Sequence, residues 1–245
     1  MILSSAEGFA RAAAAHLFEE VALAGDTLAR AAGSVAEAGL LVIGEPHGVR
    51  ETPGVLYALA AALGTRAIAF EWSHEEMQAP VVDFLRGGSF DFERLWSLPA
   101  SSEFFSGDGR ITAGHFALLR RLRDEGRLDQ VIAFDRLDPQ PVPDDWQVRD
   151  RDMAERLLAE WDERLPLLVL TGAGHARLRA ADGETMAMWL ARERSGLLTA
   201  MLDYATGSCW SRCELHDVSE PMPDAPIVLT LPEATPAVVP GPAAS

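Results

Sequence analysis

Apolar positions along the chain follow two periods. Four short continuous runs, Leu40 to Ile43, Ala67 to Phe70, Val131 to Phe134 and Leu167 to Leu170, have the pattern of strands buried on both faces. Between them the apolar positions fall at helical spacing. One helix is predicted over Ala6 to Glu20 and a second, capped by Asp26, over Leu28 to Ala38. A third enters near Pro53 and stops at Gly64, and a fourth starts at Ser73 and Glu76 with capping-box spacing and stops at Gly87-Gly88. Further helices are predicted over Thr112 to Arg123, about Gln147 to Arg164, and 184–194, with two more strands near Leu197 to Tyr204 and Ile227 to Leu231. This alternation predicts an α/β fold: a mostly parallel β-sheet flanked by helices, in a single domain over residues 1–231. The aromatic-rich stretch at about 87–111 reads as a lid-like helical or irregular insertion, or equally as a satellite core. A Pro-rich loop covers Asp138 to Asp145, and the Pro- and Ala-rich residues 232–245 are predicted to be a disordered tail.

The predicted strands share a polar carboxyl end. The first runs into Glu45 and His47, the second into Glu71, the third into Asp135 and the fourth into His175. In a parallel sheet these ends lie along one edge, where ligands bind. Two imidazoles with several carboxylates suit two chemistries. His47, Glu71 and His175 could hold a divalent metal (zinc, iron or manganese) and activate its water. Alternatively His47 could act as a general base oriented by a carboxylate, without a metal. Arg50 and Glu51 follow in the same loop, and Arg149 and Asp150 lie on the charged helix, as supporting or substrate-binding candidates. His74 opens a helix just beyond Glu71, where capping or exposure competes with a place at the same edge, and His115, within the Thr112 to Arg123 helix, is a second-rank candidate facing the cleft.

Composition narrows the partners. At 245 residues with 48% hydrophobic residues the chain can bury a full core, and its formal charge of -16 argues against nucleic acid or anionic lipid as a partner. No apolar run has the length of a membrane span and the N-terminus has no basic region, so a cytoplasmic protein acting on a small molecule is expected. Oligomeric state is not encoded in any pattern seen here. Cys209 and Cys213 are expected to be reduced thiols; with His216 they make three of the four ligands a structural zinc needs, and no fourth is evident. Arg120, Arg121 and Arg123 read as a solvated helix face. No Gly-x-Ser-x-Gly elbow occurs, and Gly172-Ala173-Gly174 is too short for a dinucleotide fingerprint.

The segments Gly44-Glu45-Pro46-His47-Gly48 and Gly172-Ala173-Gly174-His175 resemble the two GxxH motifs of the superfamily that contains TIKI proteases, ChaN-like haem-binding proteins and erythromycin esterases. Glu71 and Asp135 at strand ends, and the helix segment Arg149-Asp150-Arg151-Asp152-Met153-Ala154, extend the resemblance, which spans Leu40 to His175. His47-Gly48-Val49-Arg50-Glu51 is most similar to the erythromycin-esterase branch. The first motif is one residue tighter than the esterase form and nearer the TIKI and ChaN form. The chain is also much shorter than those esterases, and no leader of the kind a ChaN-like carrier has is expected from its first residues. The resemblance implies a hydrolase, with His47 as base or ligand, Glu45 and Glu71 as its acidic partners, His175 as second histidine, and Arg149 and Asp150 bracing the site. It also implies two alternatives: a haem- or metal-binding protein, or a natural-product tailoring enzyme performing elimination or cyclisation at the same residues.

Overall fold

The computed structural model describes residues 1–19, 21–136, 146–179, 183–211, 214–218 and 225–242. In chain order the elements begin with β1 (Ile2–Leu3), α1 (Ala6–Ala15), α2 (Gly25–Ala38), β2 (Leu40–Glu45), α3 (Thr52–Leu63), β3 (Ala67–Ser73), α4 (His74–Leu85) and α5 (Phe92–Trp96). A single 3₁₀ turn, Glu103–Phe105, precedes α6 (Ala113–Asp124), β4 (Gln130–Asp135), α7 (Trp146–Glu160), β5 (Leu167–Gly172) and α8 (Met186–Glu193). The chain closes with β6 (Thr199–Tyr204), β7 (Ser208–Ser211), β8 (Glu214–Asp217), β9 (Ile227–Leu231) and β10 (Val239–Pro240). The predicted loop at 138–145 and Cys213 lie outside the described residues.

Six strands form one parallel sheet in the order β4-β3-β5-β2-β6-β9. The α/β class is as predicted. Because successive strand residues point to opposite faces, each aliphatic run serves two cores. Leu41, Ile43, Ile68 and Phe70 pack with Phe9, Leu56, Leu59, Phe116 and Leu119 under α1, α3 and α6. Leu40, Val42, Ala67 and Ala69 pack with Met153, Leu157, Met186 and Leu190 under α7 and α8. The order also sets the site. β5 lies between β3 and β2, with Glu45 level with Gly172 and Phe70 level with Leu170, so both histidine motifs and Glu71 meet at the sheet centre.

Local details depart from expectation in identifiable ways. α1 ends at Ala15, and α2 starts at Gly25, so Asp26 sits inside its first turn and makes no cap. Ser73 does cap α4, accepting from the Glu76 amide, but the Glu76 carboxylate accepts from the Phe104 amide (3.2 Å) and ties the insertion to α4. The insertion at 87–111 is core rather than a free lid. Phe92, Trp96 and Phe104 surround Phe9 with ring centroids 5.6, 5.3 and 6.3 Å away, and Phe90 meets Phe116 edge-on.

The largest correction concerns the end of the chain. Residues 232–242, predicted as part of a disordered tail, are fixed by backbone hydrogen bonds. β10 pairs in parallel with β1, Pro236 bridges Val49, Ala234 bridges Gly207, and Ala234, Ala237 and Val239 are buried. Composition misled here because proline and alanine can serve an extended segment that borrows its partners from elsewhere in the chain. Among the described residues no helix is long and apolar enough to cross a membrane.

β2 is closely packed at Gly44, on the face it shares with α7 and α8, where an added Cβ would lie 2.4 Å from Met201 Sδ and 2.8 Å from Ala176 Cβ. Gly44→Ala is expected to cost about 1–3 kcal/mol through overpacking. A thermal melt should show this as a drop of roughly 2–4 °C per kcal/mol in a domain of this size; an unchanged midpoint would mean that β2 has room to shift.

Candidate active site

Two imidazoles are built in the same way on adjacent strands. His47 lies just past the end of β2, and its Nδ1 is 3.2 Å from Glu45 Oε1. His175 follows β5, and its Nδ1 is 2.7 Å from Asp150 Oδ1 on α7. That same Asp150 oxygen accepts the Met186 amide at the start of α8 (2.7 Å), so it cannot swing away from the imidazole. A carboxylate at Nδ1 fixes the proton there in the neutral ring and leaves Nε2 unprotonated. Both Nε2 atoms turn toward Glu71 at the end of β3: His47 Nε2 is 3.7 Å from Oε2 and His175 Nε2 is 3.6 Å from Oε1.

Glu71 is the hub. Its Oε2 accepts from Thr171 Oγ1 and from the Gly172 amide, both at 2.7 Å. Its Oε1 accepts from Arg149 Nη2 at 3.0 Å and lies 3.5 Å from Arg110 Nε. Both guanidiniums also reach Asp135 at the end of β4. Arg149 grips it with two donors, Nε at 3.1 Å from Oδ1 and Nη2 on Oδ2, and Arg110 Nη1 stands 3.0 Å from Oδ2. Arg149 Nη1 lies 3.4 Å from His175 Nε2, in position to donate to its lone pair. Arg110 is further held by Glu103 and by Asp108 (2.9 Å).

The result is two layers. The carboxylates of Glu45, Glu71, Asp135 and Asp150 are 2, 3, 1 and 8% exposed, whereas His47, Arg110, His175 and Arg149 are 20, 21, 14 and 12% exposed. Buried acids thus hold a facing layer of nitrogen donors and bases, although the chain as a whole is strongly acidic.

Proton affinities follow from these contacts. Burial opposes the charged form of His47, but the Glu45 hydrogen bond and the charges of Glu71 and Glu45 outweigh it and raise its pKa above the usual 6.5. Burial raises Glu45 despite hydrogen bonds from His47 and Thr52. Burial also works against an ionised Glu71, yet the surrounding charges of His175, Arg110, His47 and Arg149 hold it well below the ordinary carboxylate range. Glu103 is the opposite case: burial and the neighbouring Asp135 charge, only partly countered by Arg110, push it up to about 8.

Seven expected residues meet here: Glu45, His47, Glu71, Asp135, Arg149, Asp150 and His175. Four do not. Arg50 is exposed, with its backbone amide bonded to Thr235. Glu51 spends its carboxylate on Thr235, away from the imidazoles. His74 bonds the Ala133 carbonyl through Nδ1 at 3.1 Å and helps fix α4 against β4. His115 is buried against Phe70 and Trp72, and burial with the nearby charge of His47 lowers its pKa to about 3, so it stays neutral. Cys209 is a buried free thiol whose ionisation is suppressed by burial and by Glu45. His216 stands opposite it on the β7–β8 pair.

The metal expectation meets an obstacle in the donor set. His47, Glu71 and His175 do come together, but two guanidiniums already neutralise Glu71, and a dication there would sit against both of them. Among the described residues no group of three or more His, Cys, Asp or Glu side chains is arranged to hold a metal ion. The residues present do not fit a divalent metal as arranged.

Three residues escaped the sequence reading: Arg110, Glu103 and Asp108, all in the insertion at 87–111. The one available signal was the Gly107-Asp108-Gly109-Arg110 run, charges between glycines at the end of an aromatic stretch. Beside His175 opens a cleft of about 310 Å³ lined by Trp146, Gln147, Asp150, Arg177, Glu184 and Thr185. The Trp146 ring, 56% exposed, stands 6.1 Å from the His175 ring.

No known protein family and no curated protein matches the sequence. Solved structures match it in fold. A Bacillus cereus protein shares 8% identity over 97% of this chain and 100% of its own, with a TM-score of 0.53. The C-terminal region of Pasteurella multocida toxin, described as carrying a thiol-protease-like catalytic triad, shares 13% identity over 80% of this chain at a TM-score of 0.50. The match spans only 26% of that toxin chain. ChaN of Campylobacter jejuni, described as binding haem cofacially, shares 11% identity over 73% of this chain and 85% of its own at a TM-score of 0.48. These likenesses are of fold alone.

Glu103 gives the site a measurable signature. Its folded pKa lies above that of an unfolded glutamate, so the folded state keeps a proton the unfolded chain releases, and that stabilisation fades as pH rises from the ordinary carboxylate range through about 8. The melting midpoint is expected to fall over this window, and Glu103→Gln should flatten the fall. Parallel curves for the two proteins would show that Glu103 is ionised throughout.

Proposed function

We propose that this chain is an enzyme that hydrolyses a small molecule, at an ester or similar bond, by general acid–base chemistry. The observation that carries the reading is the paired geometry: each imidazole has a carboxylate on Nδ1, and both Nε2 atoms converge on Glu71 at 3.7 and 3.6 Å. Its raised basicity suits His47 to taking a proton from water as that water attacks a carbonyl. The proton goes from water oxygen to His47 Nε2, Glu45 steadies the imidazolium, and Glu71 adds its charge nearby. The oxyanion formed on the substrate would be met by Arg110 and Arg149, the exposed donors of the same layer. As the tetrahedral species collapses, the imidazolium returns its proton to the departing oxygen.

Water rather than a side chain is the nucleophile in this reading. Thr171 is fully buried and donates its hydroxyl to Glu71, and the Cys209 thiol is held neutral. The thiol-protease-like triad described for the toxin region supports enzymatic use of such a scaffold, but by a different nucleophile from the one proposed here. The substrate would enter through the cleft beside His175, with Trp146 offering a flat apolar face.

The test is a panel of small esters assayed with the wild type, His47→Gln and His175→Gln. Removal of a general base is expected to cost roughly 10²- to 10⁴-fold in kcat. The His47 change should be the larger, and the wild-type rate should rise with pH through a midpoint above 6.5, as the imidazole loses its proton. Chelator treatment should leave the rate unchanged, because the guanidiniums occupy the cation's place. Full activity in folded His47→Gln would remove this reading.

A further inference from the structure

The loop after His47 is tied to the end of the chain by an uninterrupted set of contacts. Glu51 Oε2 accepts the Thr235 amide at 2.9 Å and its Oε1 accepts the Thr235 hydroxyl. The Arg50 amide donates to the Thr235 carbonyl (2.9 Å), and Val49 bridges Pro236 in antiparallel register. The Ala237 amide then donates to the Gly48 carbonyl at 2.8 Å. The Ala237 carbonyl accepts both the chain's N-terminal ammonium and Trp210 Nε1, each at 2.8 Å, and the Val238 carbonyl accepts the Ala113 amide at the start of α6 (2.9 Å).

Gly48 is where this network meets the site. It adjoins His47, and its amide donates to the Gly109 carbonyl at 3.0 Å, one residue before Arg110. The two backbones are pressed together: both glycines have positive φ, 76° and 89°, and a Cβ on Gly109 would lie 2.3 Å from the Gly48 Cα. One hydrogen-bonded junction therefore locates an imidazole and a guanidinium that meet at Glu71. Nothing in the proposed reaction uses Glu51, although it belongs to the same sequence motif as His47.

We propose that residues 234–239 form a strap that positions the catalytic turn, and that Glu51 is its clasp, a positioning residue acting on His47 through Gly48. The importance of this for rate rests on the reading of His47 as the reactive base. The strap itself is testable without any substrate. Loss of the Glu51 carboxylate frees Thr235, the Ala237–Gly48 bond loosens, and His47 drifts from the groups that face it: Glu45, Glu71 and Arg110, with His115 behind.

The experiment is NMR on the full chain for wild type, Glu51→Ala, Glu51→Gln and Thr235→Val, with the His47 signal assigned by its loss in His47→Gln. Two readouts are followed: exchange of the Gly48 amide against the sheet amides of Ile43 and Leu170, and the His47 titration midpoint. In Glu51→Ala the Gly48 amide is expected to exchange about tenfold faster, equivalent to about 1.4 kcal/mol, while the sheet amides keep their protection. The His47 midpoint should fall toward 6.5 as its carboxylate partners recede. Glu51→Gln, which keeps one acceptor, and Thr235→Val, which loses the hydroxyl but keeps the backbone amide that Glu51 Oε2 accepts, should both be intermediate. The proposal is overturned if Gly48 and His47 are unchanged in both Glu51→Ala and Thr235→Val, because the strap then covers the turn without holding it. It is equally overturned if protection falls uniformly across sheet and turn in both variants, which would make the clasp a general stabiliser. Neither result bears on whether His47 is catalytic, which the ester panel decides separately.

Discussion

A buried carboxylate is stable in a protein only when donors surround it, and Glu71 shows what that requirement can organise. Its two oxygens take a hydroxyl, a backbone amide and a guanidinium at hydrogen-bond distance, with a second guanidinium and two imidazoles within 3.7 Å. Ionised without them, it would carry a desolvation cost of several kcal/mol. The groups that meet this requirement are also those to which the proposed chemistry is assigned. Arg149 is fixed between Glu71 and Asp135, His175 between Arg149 and Asp150, and His47 between Glu71 and Glu45. Each side chain is restrained by at least two others, which is what a site needs to hold its geometry before a substrate arrives.

The sheet supplies the other half of that constraint. A parallel sheet brings every strand's carboxyl end to one edge, and the order β4-β3-β5-β2 places Asp135, Glu71, the second histidine motif and the first side by side. Glu45, Glu71 and Asp135 lie deep because they end buried strands, and Asp150 because its helix packs it under His175; the nitrogen bases lie shallower because they come from the turns, the insertion and the helix that follow. An acidic protein thereby presents a basic face along this edge. A dehydrated pocket of this kind strengthens each charge–charge contact, and it makes the guanidiniums, rather than a bound cation, the counter-charge for the acids.

Much of this was legible from residue order. Continuous aliphatic runs marked four of the six sheet strands, β2 to β5, and the residues that follow them, from Glu45 to His175, are the ones the structure gathers. Three features were not legible, each because its partner is distant in sequence. Arg110 sits in an irregular insertion with no periodicity to place it, and only the closeness of Gly109 to Gly48 brings it to Glu71. Glu51 shares a motif with His47 but points to Thr235, 184 positions away. Residues 232–242 have the composition of a free tail, yet they find backbone partners in β1, in the turn after His47, at the start of α6 and in the turn before β7. Local pattern reports which face of an element is buried, and it is silent on which loops meet.

The central claim is that two carboxylates set the tautomer of both imidazoles so that their Nε2 lone pairs share one small space. Ring ¹⁵N NMR tests it directly, recorded on the 245-residue chain at a pH where both histidines are neutral, with each ring assigned by its loss in His47→Gln or His175→Gln. The expected result is that both rings carry their proton on Nδ1. A ring protonated at Nε2 in either residue would contradict the claim, because that lone pair would then point at a carboxylate and the histidine could not take a proton from water.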